Sequence, residues 1–256
     1  EIPTLMSNFA LLGGIAWVFV CATVEIQDRG VVEETVVAVN WDELPIFFGL
    51  AVFTFEGIGL MLPIQSVMLT PDHLPDILRF AMVFLVSLFV AFGALCYFAW
   101  GTHTNGMVTF NLRPGKITSF LRLFYALGVF LTYPMQMMPV FQIVEGKLGI
   151  SKMEGRAKAC STNIVRLFLV FLTCAIGATV GDQFGLFLSL VGSVCCTSLA
   201  FILPALFHLR REDRSTATAR GDAFDRFTVG FGAVAGFVSM VFTLKSFFAG
   251  ESGGHR

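Results

Sequence analysis

The run FAMVFLVSLFVAFGALCYFAW, Phe80 to Trp100, holds 21 residues and no charge. Crossing the roughly 30 Å hydrocarbon core of a bilayer at about 1.5 Å per residue takes about 20 apolar residues, so this run has the length and chemistry of a transmembrane helix. Six more stretches of the same kind flank it: Leu5–Val24, Leu44–Met68, Leu123–Val144, Asn163–Val180, Phe184–Phe207 and Phe227–Leu244. In lipid only helices and closed barrels satisfy their own backbone polar groups, and none of these runs alternates strictly with period two. The expected fold is therefore all-α, a polytopic transmembrane helical bundle with seven helices in one domain. The fifth segment carries Arg166 one turn inside its start, where a long side chain can reach the headgroups.

Composition agrees. Of 256 residues 55% are hydrophobic and 14% charged, with a mean hydropathy of +0.77, against roughly 25% charged in an ordinary soluble domain. That balance excludes a water-soluble globular enzyme. Seventeen Lys and Arg against eighteen Asp and Glu leave a net charge of -1, so no basic surface for nucleic acid is present. The six cysteines lack any CxxC spacing and read as small packing residues, without a disulfide framework or a zinc site. HExxH, GxSxG, P-loop and dinucleotide fingerprints are absent, and Gly181-Asp182 lacks the second helix-borne aspartate that an intramembrane protease needs. Neither an enzymatic activity nor a cofactor is expected. The chain opens at Glu1 without Met and without a signal-peptide pattern, so upstream sequence is expected to be missing.

Loops after the second, fourth and sixth segments hold eleven Lys and Arg, from Arg79 to Arg226, against four (Arg29, Arg113, Lys116 and Arg122) in the alternate set. By the positive-inside rule the first set is cytoplasmic, which places the start of the chain inside and its carboxyl terminus outside. A seven-helix receptor or a retinal protein has the reverse orientation. Lys245, at the end of its segment, is also misplaced for a retinal lysine.

The second segment, Leu44-Pro45-Ile46-Phe47-Phe48-Gly49 through Phe55-Glu56-Gly57-Ile58-Gly59 to Leu62-Pro63, puts a carboxylate near the middle of the membrane. Such a charge costs on the order of 3 kcal/mol on insertion scales, so it turns to a bundle interior, pairs, or is protonated. Gly57, Gly59 and Pro63 weaken the helix just there. A discontinuous helix at the midplane, which offers freed backbone groups to a substrate, is expected at Glu56–Gly59; a kinked packing helix with a structurally paired Glu is the plainer reading. On the fourth segment Tyr125, Gly128, Thr132, Gln136 and Pro139 fall within roughly 80° of one another at about 100° per residue. That face either lines a cavity or makes hydrogen bonds between helices. Ser189, Gly192, Ser193, Cys196 and Ala200 make a stripe of small residues on the sixth, suited to close packing. Asp182 and His103 lie in a turn and an outer loop and read as solvated.

Three of these stretches resemble the amino acid/auxin permease family, the amino acid transporter transmembrane domain, and within it the proton-coupled amino acid transporter branch. Leu44 to Pro63 is similar to that family's sixth helix, Tyr125-Ala126-Leu127-Gly128-Val129-Phe130-Leu131-Thr132-Tyr133 to its eighth, and Leu188-Ser189-Leu190-Val191-Gly192-Ser193 through Leu203-Pro204-Ala205-Leu206 to its tenth. The resemblance implies a five-plus-five inverted repeat in which the first helix of each half is broken around the substrate. The seven segments would then be helices five to eleven, the second half of the fold plus a further helix, with the first four helices absent. It further implies secondary active transport of amino acids, as proton-coupled symport of small neutral amino acids by the full-length carrier, since this segment alone lacks half of the site. The implied partners are an amino acid substrate, a proton or sodium as coupling ion, the lipid bilayer and the missing amino-terminal helices. Phe55, Glu56, Gly57 and Gly59 would meet the substrate, with Glu56 the proton-coupling residue and Thr132 and Gln136 facing them. The alternative is a membrane amino-acid sensor without net flux. The choice between plasma membrane and a vacuolar or lysosomal membrane stays open at this point.

Overall fold

The computed structural model describes residues 2–30, 37, 39–57, 61, 65–66, 68–150, 155–210 and 219–253. Among them every regular element is helical. In chain order these are α1 (Ile2–Arg29), α2 (Leu44–Thr54), α3 (Leu74–Trp100), α4 (Lys116–Lys147), α5 (Gly155–Val180), α6 (Phe184–Leu209) and α7 (Ala219–Gly253). Each corresponds to one apolar stretch of the sequence. Five of them, α3 to α7, are long and apolar enough to cross a membrane among the described residues, whereas α2 is a shorter apolar helix. Most observed ends extend past the apolar runs into polar sequence, as at Lys116 and Ala219, because backbone hydrogen bonding continues where hydropathy stops.

The helices divide into two compact units, residues 1–36 with 90–181, and residues 37–89 with 182–256; the division falls within α3. In the first unit α1 runs antiparallel along α4. Trp17 Nε1 donates to Thr118 Oγ1 at 3.2 Å, and further along α1 Glu25 meets Arg113, just before α4 begins. Val18, Cys96 and Leu112 are buried together, with Trp17, Phe92, Trp100 and Val108 packed around them. Helix α5 meets α4 through polar groups: Tyr133 Oη lies 2.6 Å from Thr173 Oγ1, and Arg166 Nε is 2.7 Å from Glu145 Oε1 with its guanidinium 5.3 Å from the Phe141 ring centroid. Arg166 was expected to reach for headgroups; instead a carboxylate on the preceding helix neutralises it. α4 continues through Pro134 and Pro139, which transmembrane helices tolerate when neighbouring groups satisfy the freed carbonyls.

In the second unit α2 packs against both α6 and α7. α6 is not uniformly α-helical: Gly192–Cys196 and Ser198–Ile202 are wound as π-helix, and Thr197 Oγ1 donates to the Gly192 carbonyl five residues back at 2.9 Å. π turns are rare and concentrate where a helix has been adjusted for function. At the amino-terminal end of α6, Gly181 turns the chain with a φ of +42° ahead of the 3₁₀ turn Gly181–Gln183.

Candidate functional site

α2 starts at Leu44 with Pro45 in its first turn, where a missing N–H costs nothing. It stops at Thr54 after 11 residues, a rise of about 16 Å and so about half of a membrane crossing. The sequence places the interruption at Glu56–Gly59; the helix ends before it. Thr54 Oγ1 turns back to the Leu50 carbonyl at 2.8 Å, and Phe55 leaves helical geometry at φ -97°, ψ 7°. The N–H of Phe55 donates to the Ala51 carbonyl at 3.1 Å and that of Glu56 to the Phe53 carbonyl at 3.3 Å. Among the described residues no backbone donor of the loop reaches the Val52 or Thr54 carbonyls.

Glu56 and Gly57 are half-buried and outside any helix. No described residue gives the Glu56 carboxylate a hydrogen bond or an ion pair. Phe55 places its ring 5.8 Å from that of Phe89 on α3. Gly59, the remaining residue expected on this segment, lies outside the described residues. Thr132 and Gln136 sit on α4, in the first unit. The Thr132 hydroxyl is used within its own helix, on the Gly128 and Val129 carbonyls at 3.1 Å each, and Gln136 is exposed. On that face of α4 only Gly128 is fully buried, while Tyr125 and Pro139 are exposed.

What holds α2 in place is more extensive than the sequence suggests. Gly49 is buried against α6, where an added Cβ would strike the Ser189 carbonyl and both serine hydroxyls. A Cβ on Gly192 would strike the Gly49 backbone. Ser189 Oγ donates to the Ile46 carbonyl at 2.7 Å and lies 3.0 Å from Thr243 Oγ1; Ser193 Oγ donates to the Ser189 carbonyl and lies 2.6 Å from Ser239 Oγ. Since Ser189 and Ser193 spend their single protons on carbonyls, Thr243 and Ser239 must be the donors to them. Sequence reading singled out the α6 half of this arrangement as a packing stripe. It missed the α7 half, although Gly232, Gly236, Ser239 and Thr243, spaced four, three and four residues apart, share one helix face and are all buried.

The family model described as transmembrane amino acid transporter protein matches residues 2–246. The chain is 30% identical over 239 residues to vacuolar amino acid transporter 3 of Schizosaccharomyces pombe, covering 93% of this chain and 36% of that protein. It is 31% identical over 240 residues to vacuolar amino acid transporter 3 of Saccharomyces cerevisiae, 92% and 35% respectively, and 37% identical over 161 residues to amino acid transporter AVT3C of Arabidopsis thaliana, 63% and 35%. It thus spans about a third of the length of these relatives. No solved structure gives a significant match.

Proposed function

Because the chain belongs to the transmembrane amino acid transporter family, a family of multi-pass membrane transporters rather than enzymes, we propose that it is the substrate-contacting second half of an amino acid carrier. The activity is assigned to a full-length carrier containing this segment, acting at a vacuolar-type membrane as the names of the relatives suggest. One observation carries the reading: an apolar helix stops at Thr54 after 11 residues, about half the length that a membrane crossing takes, and the acidic Glu56 follows it outside any helix. Carbonyls at an interrupted helix suit the ammonium group of an amino acid, and a carboxylate without a described partner suits a proton that is taken up and released. Glu56 is the proton-coupling residue, and Phe55, Gly57 and Gly59 shape the substrate pocket; Thr132 and Gln136 on α4 are further candidates for substrate contact. The substrates are small neutral amino acids moved together with protons. Orientation follows the positive-inside count, with the start of this segment cytoplasmic and its carboxyl terminus extracytoplasmic.

The test is uptake of radiolabelled alanine or proline into proteoliposomes holding the full-length carrier, with and without an inward proton gradient. Gradient-driven accumulation is expected, and Glu56→Gln is expected to remove its pH dependence. Accumulation driven equally by a sodium gradient alone would overturn the proton assignment, and saturable binding without accumulation in sealed vesicles would replace transport by sensing.

A further inference from the structure

A half-helix that ends inside a membrane needs its neighbours to fix both its depth and its rotation, since it has no second interface to anchor it. In the second unit this anchoring converges on one side chain. Ser189 is fully buried, and its hydroxyl is the one described side-chain group from another helix that hydrogen-bonds the α2 backbone, at the Ile46 carbonyl. Thr243, itself 1% exposed, donates into the same hydroxyl from α7. The direction of donation therefore runs from α7 through α6 to α2. One turn on, Gly49 presses against Ser189 and Ser193, which leaves the helix no room to rotate without separating backbones. From Ile46 to Thr54 the helix is a rod of about 12 Å, so a rotation at its docked end is carried to the segment that bears Glu56.

We infer that Ser189 is a positioning residue: it sets the register of α2 on α6 and thereby presents Glu56 and the carboxyl-terminal end of α2 in one orientation. This rests on the transport reading of Glu56, but the docking itself can be measured without transport. Ser189 touches neither substrate nor ion; it acts through the Ile46 carbonyl. Thr243 supports it by holding the Ser189 hydroxyl in the donating rotamer.

The experiment uses the full-length carrier in lipid nanodiscs and compares Ser189→Ala, Thr243→Val and Thr243→Ser with wild type. Hydrogen exchange in peptides covering residues 44–57 is expected to rise about tenfold in Ser189→Ala, less in Thr243→Val and not in Thr243→Ser, with residues 116–147 unaffected. In proteoliposomes at matched protein content the same order is expected in KM, about three- to tenfold for Ser189→Ala, the scale of one interhelical hydrogen bond. The pH profile of uptake should shift with it, and should not shift further when Ser189→Ala is added to Glu56→Gln, because coupled sites are non-additive. Unchanged exchange at 44–57 in both Ser189→Ala and Thr243→Val overturns the docking role. Raised exchange with KM and pH profile unchanged, only the maximal rate following the amount of protein, overturns the positioning role. A wild-type carrier that accumulates no amino acid would instead refute the transport reading, and the exchange result would still decide the docking.

Discussion

The two units solve the same packing problem with different side chains. In the first, the buried cluster is apolar and aromatic, Val18, Cys96 and Leu112 with two tryptophans beside them, and its ion pairs sit near helix ends, where Arg113 bridges Glu25 at 2.9 Å and Asp28 at 3.2 Å. In the second, the largest fully buried side chains are Thr197, Thr243, Ser189 and Ser239, and glycines bring three helices into backbone contact. Lipid tails are as apolar as leucine, so burying leucine gains little between membrane helices, while small residues gain dispersion contacts and hydroxyls gain partners. The second unit, which holds the interrupted helix, is thus fixed by shape at short range; the first is fixed by bulk and by charge.

If that contrast is right, the largest effect belongs to Gly192→Val. Its Cβ would fall on the Gly49 backbone, which cannot yield without detaching α2, at a cost of about 3 kcal/mol or more. Loss of the monodisperse peak in detergent size-exclusion is expected, whereas Gly93→Ala and Gly177→Ala, with open space around the added methyl, should elute and melt as wild type. A normal melting curve for Gly192→Val would dismiss the close approach. Next comes Arg113→Ala in the first unit. It leaves the Glu25 carboxylate, 8% exposed, without its guanidinium. Because the Arg113 side chain is 57% exposed and partly screened by water, the expected loss is about 2 kcal/mol rather than the larger figure for a sealed pair. Asp28→Asn, at an exposed carboxylate, should cost less than about 0.5 kcal/mol in the same thermal melts. Equal losses for the two would mean that burial of Glu25 carries no energetic weight.

Where this contrast could be read from sequence follows from the range of the interactions involved. Apolar run length is local, so the all-helical character and the five long apolar helices α3 to α7 are legible in the sequence, and so is the stripe on α6. The interruption expected at Glu56–Gly59 falls where Glu56 and Gly57 leave the helix, while the exact last helical residue, Thr54, with the turn at Phe55, has no local signal of its own. The π turns of α6 left no local signal. The hydroxyl pairs join residues 54 and 46 positions apart, and Arg166 finds Glu145 across 21; such pairings are decided by tertiary packing. The small-residue spacing on α7 was local, and was readable in principle.

The smallest expected effects test whether the hydroxyls themselves or the close approach they accompany distinguishes the units. Ser239→Ala in the second unit removes a donor to Ser193, while Ser193 keeps its own donation to the Ser189 carbonyl. Tyr133→Phe in the first is its counterpart. Thr173 spends its proton on the Val170 carbonyl, so Tyr133 is the donor there, and its loss leaves Thr173 still bonded. Each variant deletes one donor and strands no other, so each should cost about 0.6 kcal/mol, the average for interhelical hydrogen bonds in membranes. Equal small losses in parallel melts would assign the second unit's rigidity to its glycines. A loss near 2 kcal/mol for Ser239→Ala alone would mean that the chain of hydroxyls reinforces itself beyond its separate bonds, and α7 would then contribute to holding α2 as much as α6 does.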